Sequence, residues 1–180
     1  MAQQFSTPIK IMSFTILILI IATNMANSQT PPNQTTLVFY LQDIGKGLNA
    51  TVSPVIGING RVWSYNTFGT IFVVDDPVMV SPSPFSTQIG RAQGVITVTS
   101  LDGANVNILL SIVFNNMQYS GSTLEIQGTS RQRDNSRELS IVGGTGRFRF
   151  ARGFAVFETV SFDAPNVHSI IRLTITLALP

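Results

Sequence analysis

Two charged residues sit where apolar side chains are expected, and both have the chemistry to move protons. The first lies in Ser140–Ala155, reading SIVGGTGRFRFARGFA. Successive strand side chains point to opposite faces. Phe148, Phe150, Arg152 and Phe154 share one parity, so in a regular strand Arg152 lies in line with three phenylalanines. A guanidinium on an apolar face needs a partner or a polar ligand, because burying an unpaired charge is costly. The second is Asp43, which shares a parity with Leu37, Phe39 and Leu41. If both faces line one interior, Asp43 and Arg152 meet there. Desolvation would raise the acid's pKa and the arginine would lower it, and either makes it a proton donor or acceptor. The competing readings are a structural ion pair and an Asp that caps the following Gly-rich turn.

Other constellations are weaker. Asp75-Asp76-Pro77 pairs two carboxylates. Strand neighbours face opposite sides, so turn capping is the better reading. Gly144-Thr145-Gly146 lacks the Lys-Ser/Thr that a phosphate loop requires. Trp63, Tyr65 and Phe68 could stack on an aromatic ligand, although core packing is the commoner role. There is no cysteine and only one histidine, His168, which suits a strand start. Cys-ligated metals and thiolate nucleophiles are excluded, and no G-x-S-x-G elbow accompanies the histidine. Neither a metal nor any other cofactor is expected.

The elements that must carry these residues read as strands. Apolar and β-branched runs follow one another from Leu37–Asp43 through Asn49–Ile56, Val62–Phe68 and Gly69–Asp76, the last expected to stop at Pro77. Gly90–Ser100, Asn105–Asn116, Thr123–Gln127 and Ser169–Leu179 continue the pattern around turns at Leu101-Asp102-Gly103, Tyr119-Ser120-Gly121 and Asp163–Asn166. A Ser/Pro loop covers Ser81–Thr87, and the polar stretch Gly128–Arg137 reads as solvated. Gly143, Gly144 and Gly146 suit a tight hairpin ahead of the Phe/Arg strand. Beyond the N-terminal segment no stretch has sustained helical periodicity. Roughly eight strands with short turns predict an all-β antiparallel barrel or sandwich, and the barrel is preferred because its closure hides the sheet edges.

The N-terminal segment reads as a secretory signal peptide. Lys10 precedes an apolar run, Ile11–Ala22, too short for a bilayer crossing, and Ala26-Asn27-Ser28 fits the small-residue cleavage rule. An uncleaved anchor is the alternative. The domain division is then 1–28 signal peptide, 29–36 flexible lead-in and 37–180 barrel. The chain is expected in the apoplast, with no membrane association after cleavage. Sequons at Asn33 and Asn49 are candidate glycosylation sites. All nine acidic residues and all basic residues except Lys10 follow Ser28, so the mature chain is almost neutral and no nucleic-acid partner is implied.

Together these residues resemble the plant dirigent family. The matching blocks are FYLQDI (Phe39–Ile44), NAT (Asn49–Thr51), FGTIFVVDDP (Phe68–Pro77), GRAQG (Gly90–Gly94), YSGSTLEIQG (Tyr119–Gly128) and VGGTGRFRFARG (Val142–Gly153). The resemblance implies an eight-stranded antiparallel barrel, allene-oxide-cyclase-like, in a homo-oligomer, a trimer or dimer. It implies control of stereochemistry in phenoxy-radical coupling, as of coniferyl alcohol to lignans, with radicals supplied by an external laccase or peroxidase. The alternatives are a cofactor-free cyclase or dehydratase on a quinone-methide-forming isoflavanol, and a non-catalytic wall or defence protein. It assigns the proton-transfer roles to Asp43 and Arg152, and beside it the Phe-rich strands lead us to expect a phenolic ligand held against Phe39, Phe148, Phe150 and Phe154. The LEIQG wording sits nearer the broader subgroup than the lignan-directing one. Ser130 stands where lignan-directing members carry a second Asp, and Val95, Ile96 and Val98 where they carry a tyrosine. The pocket is therefore expected to be less acidic and more apolar, suiting a phenol that cyclises or eliminates water.

Overall fold

The computed structural model describes residues 34–178. The segment read as a signal peptide, the Asn33 sequon and most of the stretch read as lead-in lie outside them. Nine strands follow in order: β1 (Gln34–Ile44), β2 (Val52–Ile56), β3 (Ile71–Met79), β4 (Gln88–Val98), β5 (Asn105–Phe114), β6 (Thr123–Arg131), β7 (Ser136–Gly144), β8 (Arg152–Asp163) and β9 (His168–Ala178). From β3 to β9 each pairs antiparallel with its sequence neighbour, and β9 returns to β1 from Gln34↔Ala178 to Ile44↔His168. Tyr40↔Met79 and Leu41↔Val78 close β1 onto β3, making an eight-stranded antiparallel barrel with β2 on the remaining edge of β3.

Alternation drives this closure. On β5, Val106, Ile108, Leu110, Ile112 and Phe114 are buried, while the intervening residues face outward. Leu124 and Ile126, and Leu173, Ile175 and Leu177, repeat the pattern on β6 and β9. At 25 cal/mol/Å2, each such side chain contributes about 1.5–3 kcal/mol of transfer free energy.

The strands differ from the sequence reading where tertiary contacts outweigh local signals. β1 begins at Gln34, inside the stretch read as lead-in, because β9 is long enough to pair with it. Val62–Phe68 is not a strand; it belongs to the loop between β2 and β3. β3 runs through Pro77 to Met79. The Asp75 N–H reaches Thr51 O, so Pro77, two residues on, turns its missing donor to the same edge. There neither β1 nor β2 has a residue in register with it.

The largest departure is at the Gly-Gly-Thr-Gly segment. Gly143 and Gly144 still belong to β7, opposite Glu125 and Leu124. A Cβ on Gly144 would stand 2.6 Å from Thr123 O and 2.7 Å from Phe148 O. Only glycine allows the chain to fold this closely over the barrel end. Gly146, at φ +57°, then starts a 3-10 turn, Gly146–Phe148, and Phe150 is left-handed at φ +66°. The connection therefore inserts Phe148 into the barrel instead of making a tight hairpin. Its ring packs 5.3 Å from Phe114 and 5.2 Å from Tyr119, and Phe39 lies 5.8 Å from Phe114. These aromatics plug that end of the barrel. The other end is left for a cavity.

Candidate functional site

The cavity has a volume of about 430 Å3 and occupies the barrel end at which β1 finishes. Inward residues at that end build it: Leu41 and Asp43 from β1, Val74 and Asp76 from β3, Ile96 from β4, Val106, Ile108 and Leu110 from β5, and Phe157 from β8. Arg137, Thr159, Phe162 and Val167 mark the rim, with Tyr65 from the β2–β3 loop. Its size and predominantly apolar lining suit a small organic ligand.

Asp43 and Asp76 are brought together by the seam. Past Leu41↔Val78 the two strands separate, but alternation turns Asp43 and Asp76 into the same cavity. There the charge of one acts on the other. Asp76 is 3% exposed, and Thr51 Oγ1 donates to its Oδ1 at 2.6 Å. Burial pushes Asp76 up to about 8, and the charge of Asp43 adds to the rise. Burial also raises Asp43, to about 6. Near neutral pH the two carboxyls therefore share one proton, as like charges in one dry site do. Asp75, on the outer face beside Arg91, is shifted the opposite way by that guanidinium.

Tyr65 stacks on Phe72 at 4.1 Å and 5°. Its hydroxyl is buried without a hydrogen-bond partner among the described residues. Burial and the charges of Asp43 and Asp76 push its pKa up, so it stays a neutral donor. A buried hydroxyl without a partner costs about 1–3 kcal/mol. Tyr65→Phe is expected to raise thermal stability by about 1 kcal/mol, while weakening the binding of any phenol that uses this donor. Differential scanning calorimetry and ligand titration check the two effects separately.

Arg137 supplies a cation on the far wall, since β7 lies across the ring from the β1/β3 seam. Its Nη2 donates to Thr159 Oγ1 at 3.0 Å, and burial lowers its pKa. It forms no salt bridge among the described residues.

The structure separates the residues singled out from the sequence. Asp43 lines the cavity; Arg152 does not. Arg152 and Phe154 do share a face, but it is the outer one: the buried residues of this segment are Ala151, Ala155 and Phe157. Arg152 is exposed and its Nη1 donates to Ala151 O at 2.9 Å, so solvent satisfies the charge. Phe150 and Phe154 are 74% and 39% exposed. Phe39 and Phe148 are buried in the aromatic plug and line no part of the cavity. Asn49 is exposed in the β1–β2 connection, and His168 opens β9 with Nε2 2.9 Å from Gln42 Oε1.

Asp76, Arg137 and Tyr65 were the residues that sequence reasoning set aside. For Asp76 the signal was present: Phe72, Val74, Asp76 and Val78 share a parity, as Phe39, Leu41 and Asp43 do. Both Asp75 and Asp76 lie inside β3 and cap no turn. Arg137 belongs to β7, not to a solvated loop. Ser130 and Ile96 do line the cavity, and Asp76 adds a second carboxyl to that of Asp43 from another strand.

Comparison with known proteins fits this geometry. The family model described as dirigent-like protein matches residues 34–178. Dirigent protein 1 of Arabidopsis thaliana is 33% identical over 174 residues, covering 91% of this chain and 94% of that protein. Pterocarpan synthase 1 of Glycyrrhiza echinata is 34% identical over 142 residues, covering 78% and 76%. The solved structure of a pterocarpan synthase dirigent protein superposes with a TM-score of 0.75 at 32% identity, covering 83% of this chain and 97% of that one.

Proposed function

The chain belongs to the dirigent family, and from that premise we propose that its barrel binds a phenylpropanoid- or isoflavonoid-type phenol and directs the stereochemistry of ring closure with loss of water. The observation that carries this reading is the carboxyl pair, Asp43 and Asp76, raised to about 6 and about 8 within one largely apolar cavity. Two acids whose environments separate their pKa values divide into a proton donor and a proton acceptor at neutral pH.

The protonated member, Asp76, gives its proton to a benzylic hydroxyl as that C–O bond breaks. Water leaves, and the electron-rich ring, its para-hydroxyl keeping its proton, takes up the positive charge as a protonated quinone methide. A phenolic hydroxyl of the same molecule then attacks the benzylic carbon, forming the new C–O bond, and Asp43 takes the proton it releases. The pair ends with one proton, as it began. Arg137, on the far wall, holds the polar end of the substrate. The apolar walls exclude bulk water, which would otherwise add to the quinone methide. Holding nucleophile and carbon aligned selects the face of attack, and alignment of this kind is worth several kcal/mol, about 7–11 in favourable intramolecular cases. The 34% identity to a relative named pterocarpan synthase supports this chemistry.

A second reading is favoured by the equally similar Dirigent protein 1, aligned over 91% of this chain. In it the same cavity orients phenoxy radicals made by an external laccase or peroxidase, and coupling follows. We place the mature chain outside the cell under either reading, consistent with the Lys10–Ser28 segment.

The test is incubation of the mature protein with a panel of isoflavanols and monolignols, with and without laccase, followed by chiral chromatography. Ring closure uses no oxidant, so one enantiomer formed without laccase is the expected result. Enantiomeric excess only when laccase is present favours radical coupling. Racemic or absent product in both arms overturns both readings.

A further inference from the structure

Beyond Leu41↔Val78 the β1 and β3 backbones part, and Thr51 fills the gap between them. Its N–H donates to Ile44 O at 2.7 Å, and its carbonyl accepts from Asp75 N–H at 2.8 Å. The side chain makes a second bridge. Oγ1 accepts from Ile44 N–H at 3.0 Å and donates to Asp76 Oδ1 at 2.6 Å. A hydroxyl has one proton to give. With a backbone N–H already on its lone pair, that proton goes to the short carboxyl bond; Gln42 O, at 3.4 Å, is the longer alternative.

The direction of this chain has a consequence. A backbone N–H can only donate, so it takes one of the two lone pairs of Oγ1, and the reverse arrangement, in which Oγ1 accepts from Asp76, would have to send the hydroxyl proton to Gln42 O at 3.4 Å instead of to Oδ1 at 2.6 Å. The shorter contact makes Oδ1 the accepting oxygen of the Asp76 carboxyl. The acid proton belongs on Oδ2. Thr51 itself lines no part of the central cavity; it lines a shallow outer cleft with Asn49 and Arg91. Asp76 is thus held from behind, and its other oxygen is left for the interior.

We propose that Thr51 is a positioning residue, a one-way hydrogen-bond relay from Ile44 N–H to Asp76 Oδ1 that keeps the acid proton of Asp76 on Oδ2. This rests on the acid and base roles given above to Asp43 and Asp76. The other titratable and charged groups around Asp76 are Asp43 from β1, Tyr65 from the β2–β3 loop, Asp75 beside it on β3 and Arg91 from β4. None of these hydrogen-bonds Asp76 among the described residues. A donor on Oδ1 favours the ionised form, and this bond opposes the rise that burial causes.

Thr51 also completes the Asn49-Ala50-Thr51 sequon, so the test must separate the hydroxyl from any glycan. Four variants do this: T51V and T51A remove both, T51S keeps both, and N49Q removes the sequon alone. The first readout is titration of the carboxyls by NMR of protein labelled with 13C-aspartate, which needs no substrate. Expected is an upward move of the higher midpoint by about one pH unit in T51V and T51A, the loss of one charge-assisted bond, with T51S and N49Q at the wild-type value. The second readout is the pH profile of kcat. Here T51V is expected to lose about tenfold or more, to shift the limb set by Asp76 upward, and to leave KM unchanged.

A wild-type titration in T51V or T51A, or a T51S that behaves like T51V, overturns the relay. T51A guards against a T51V that fails to fold. If no phenol is turned over by the wild type while the T51V titration still moves, the proposed function fails and the relay stands.

Discussion

Asp76→Asn is expected to lower the rate of stereoselective ring closure by about 10²- to 10³-fold, the usual loss when a positioned general acid is removed. Asparagine matches aspartate in shape and still accepts the Thr51 hydroxyl at its amide oxygen. Nothing else in the wall needs to move. What goes is the ability of the pair to hold one shared proton. Asp75→Asn, one residue along the same strand but turned outward beside Arg91, is expected to change kcat less than about threefold, as surface substitutions usually do. Arg152→Ala is expected to do the same, because that guanidinium stands outside the barrel with Ala151 O as its partner. Measuring kcat for the three variants by chiral chromatography with one isoflavanol decides the matter. A wild-type rate in Asp76→Asn, or a collapse in Arg152→Ala, would sink the assignment of the site.

The second large effect is on stability, and its sign runs opposite to that of most carboxylates. In the unfolded chain Asp43 and Asp76 titrate near 3.8; in the barrel they rise to about 6 and about 8. Between those limits the folded state binds more protons than the unfolded one. Stability therefore falls as pH rises through that interval. The pair contributes its full share below about pH 4 and has lost it above about pH 8. Asp75 and Asp102 are lowered instead, so their contribution is lost only at more acidic pH. The melting temperature is expected to drop by about 5–10 °C between pH 5 and pH 8. Asp76→Asn should flatten most of that slope and melt several degrees above wild type at pH 8. Scanning calorimetry at four or five pH values reads both. A flat profile in the wild type contradicts two buried, uncompensated carboxyls.

These two experiments also bear on the price of the site. An ionised carboxyl inside an apolar wall is destabilising unless paired, and the pair's nearest donor is one threonine hydroxyl. The same desolvation that weakens the fold at alkaline pH prepares Asp76 to give up a proton near neutrality. Function and instability have one cause.

Much of this was legible in the amino-acid order. Period-two alternation in NVNILLSIVF and SIIRLTITLA requires half-buried strands, and the Asp102-Gly103 and Pro165-Asn166 turns set where they reverse. The dirigent blocks, in order along the chain, pointed to the closed barrel that the structure has. Alternation also grouped Asp43 with Leu41 and Phe39 correctly.

What alternation cannot do is say which of two faces is the inside. For RFRFARGFAVF the large aromatic set suggested one answer and packing chose the other. The small Ala151 and Ala155 fit the crowded interior, Phe148 leaves the strand altogether to plug the barrel end, and Arg152 with Phe154 is turned out. Asp76 was hidden for a different reason. Its partner is not the neighbouring Asp75 but Asp43, more than thirty residues earlier, and only the register of the β1–β3 closure brings the two together. Local sequence fixes the spacing of side chains along a strand, because that is backbone geometry. Which strands meet, at what offset and with which face inward is settled by how the whole set of side chains fills one closed volume, and the acid pair exists only at that level.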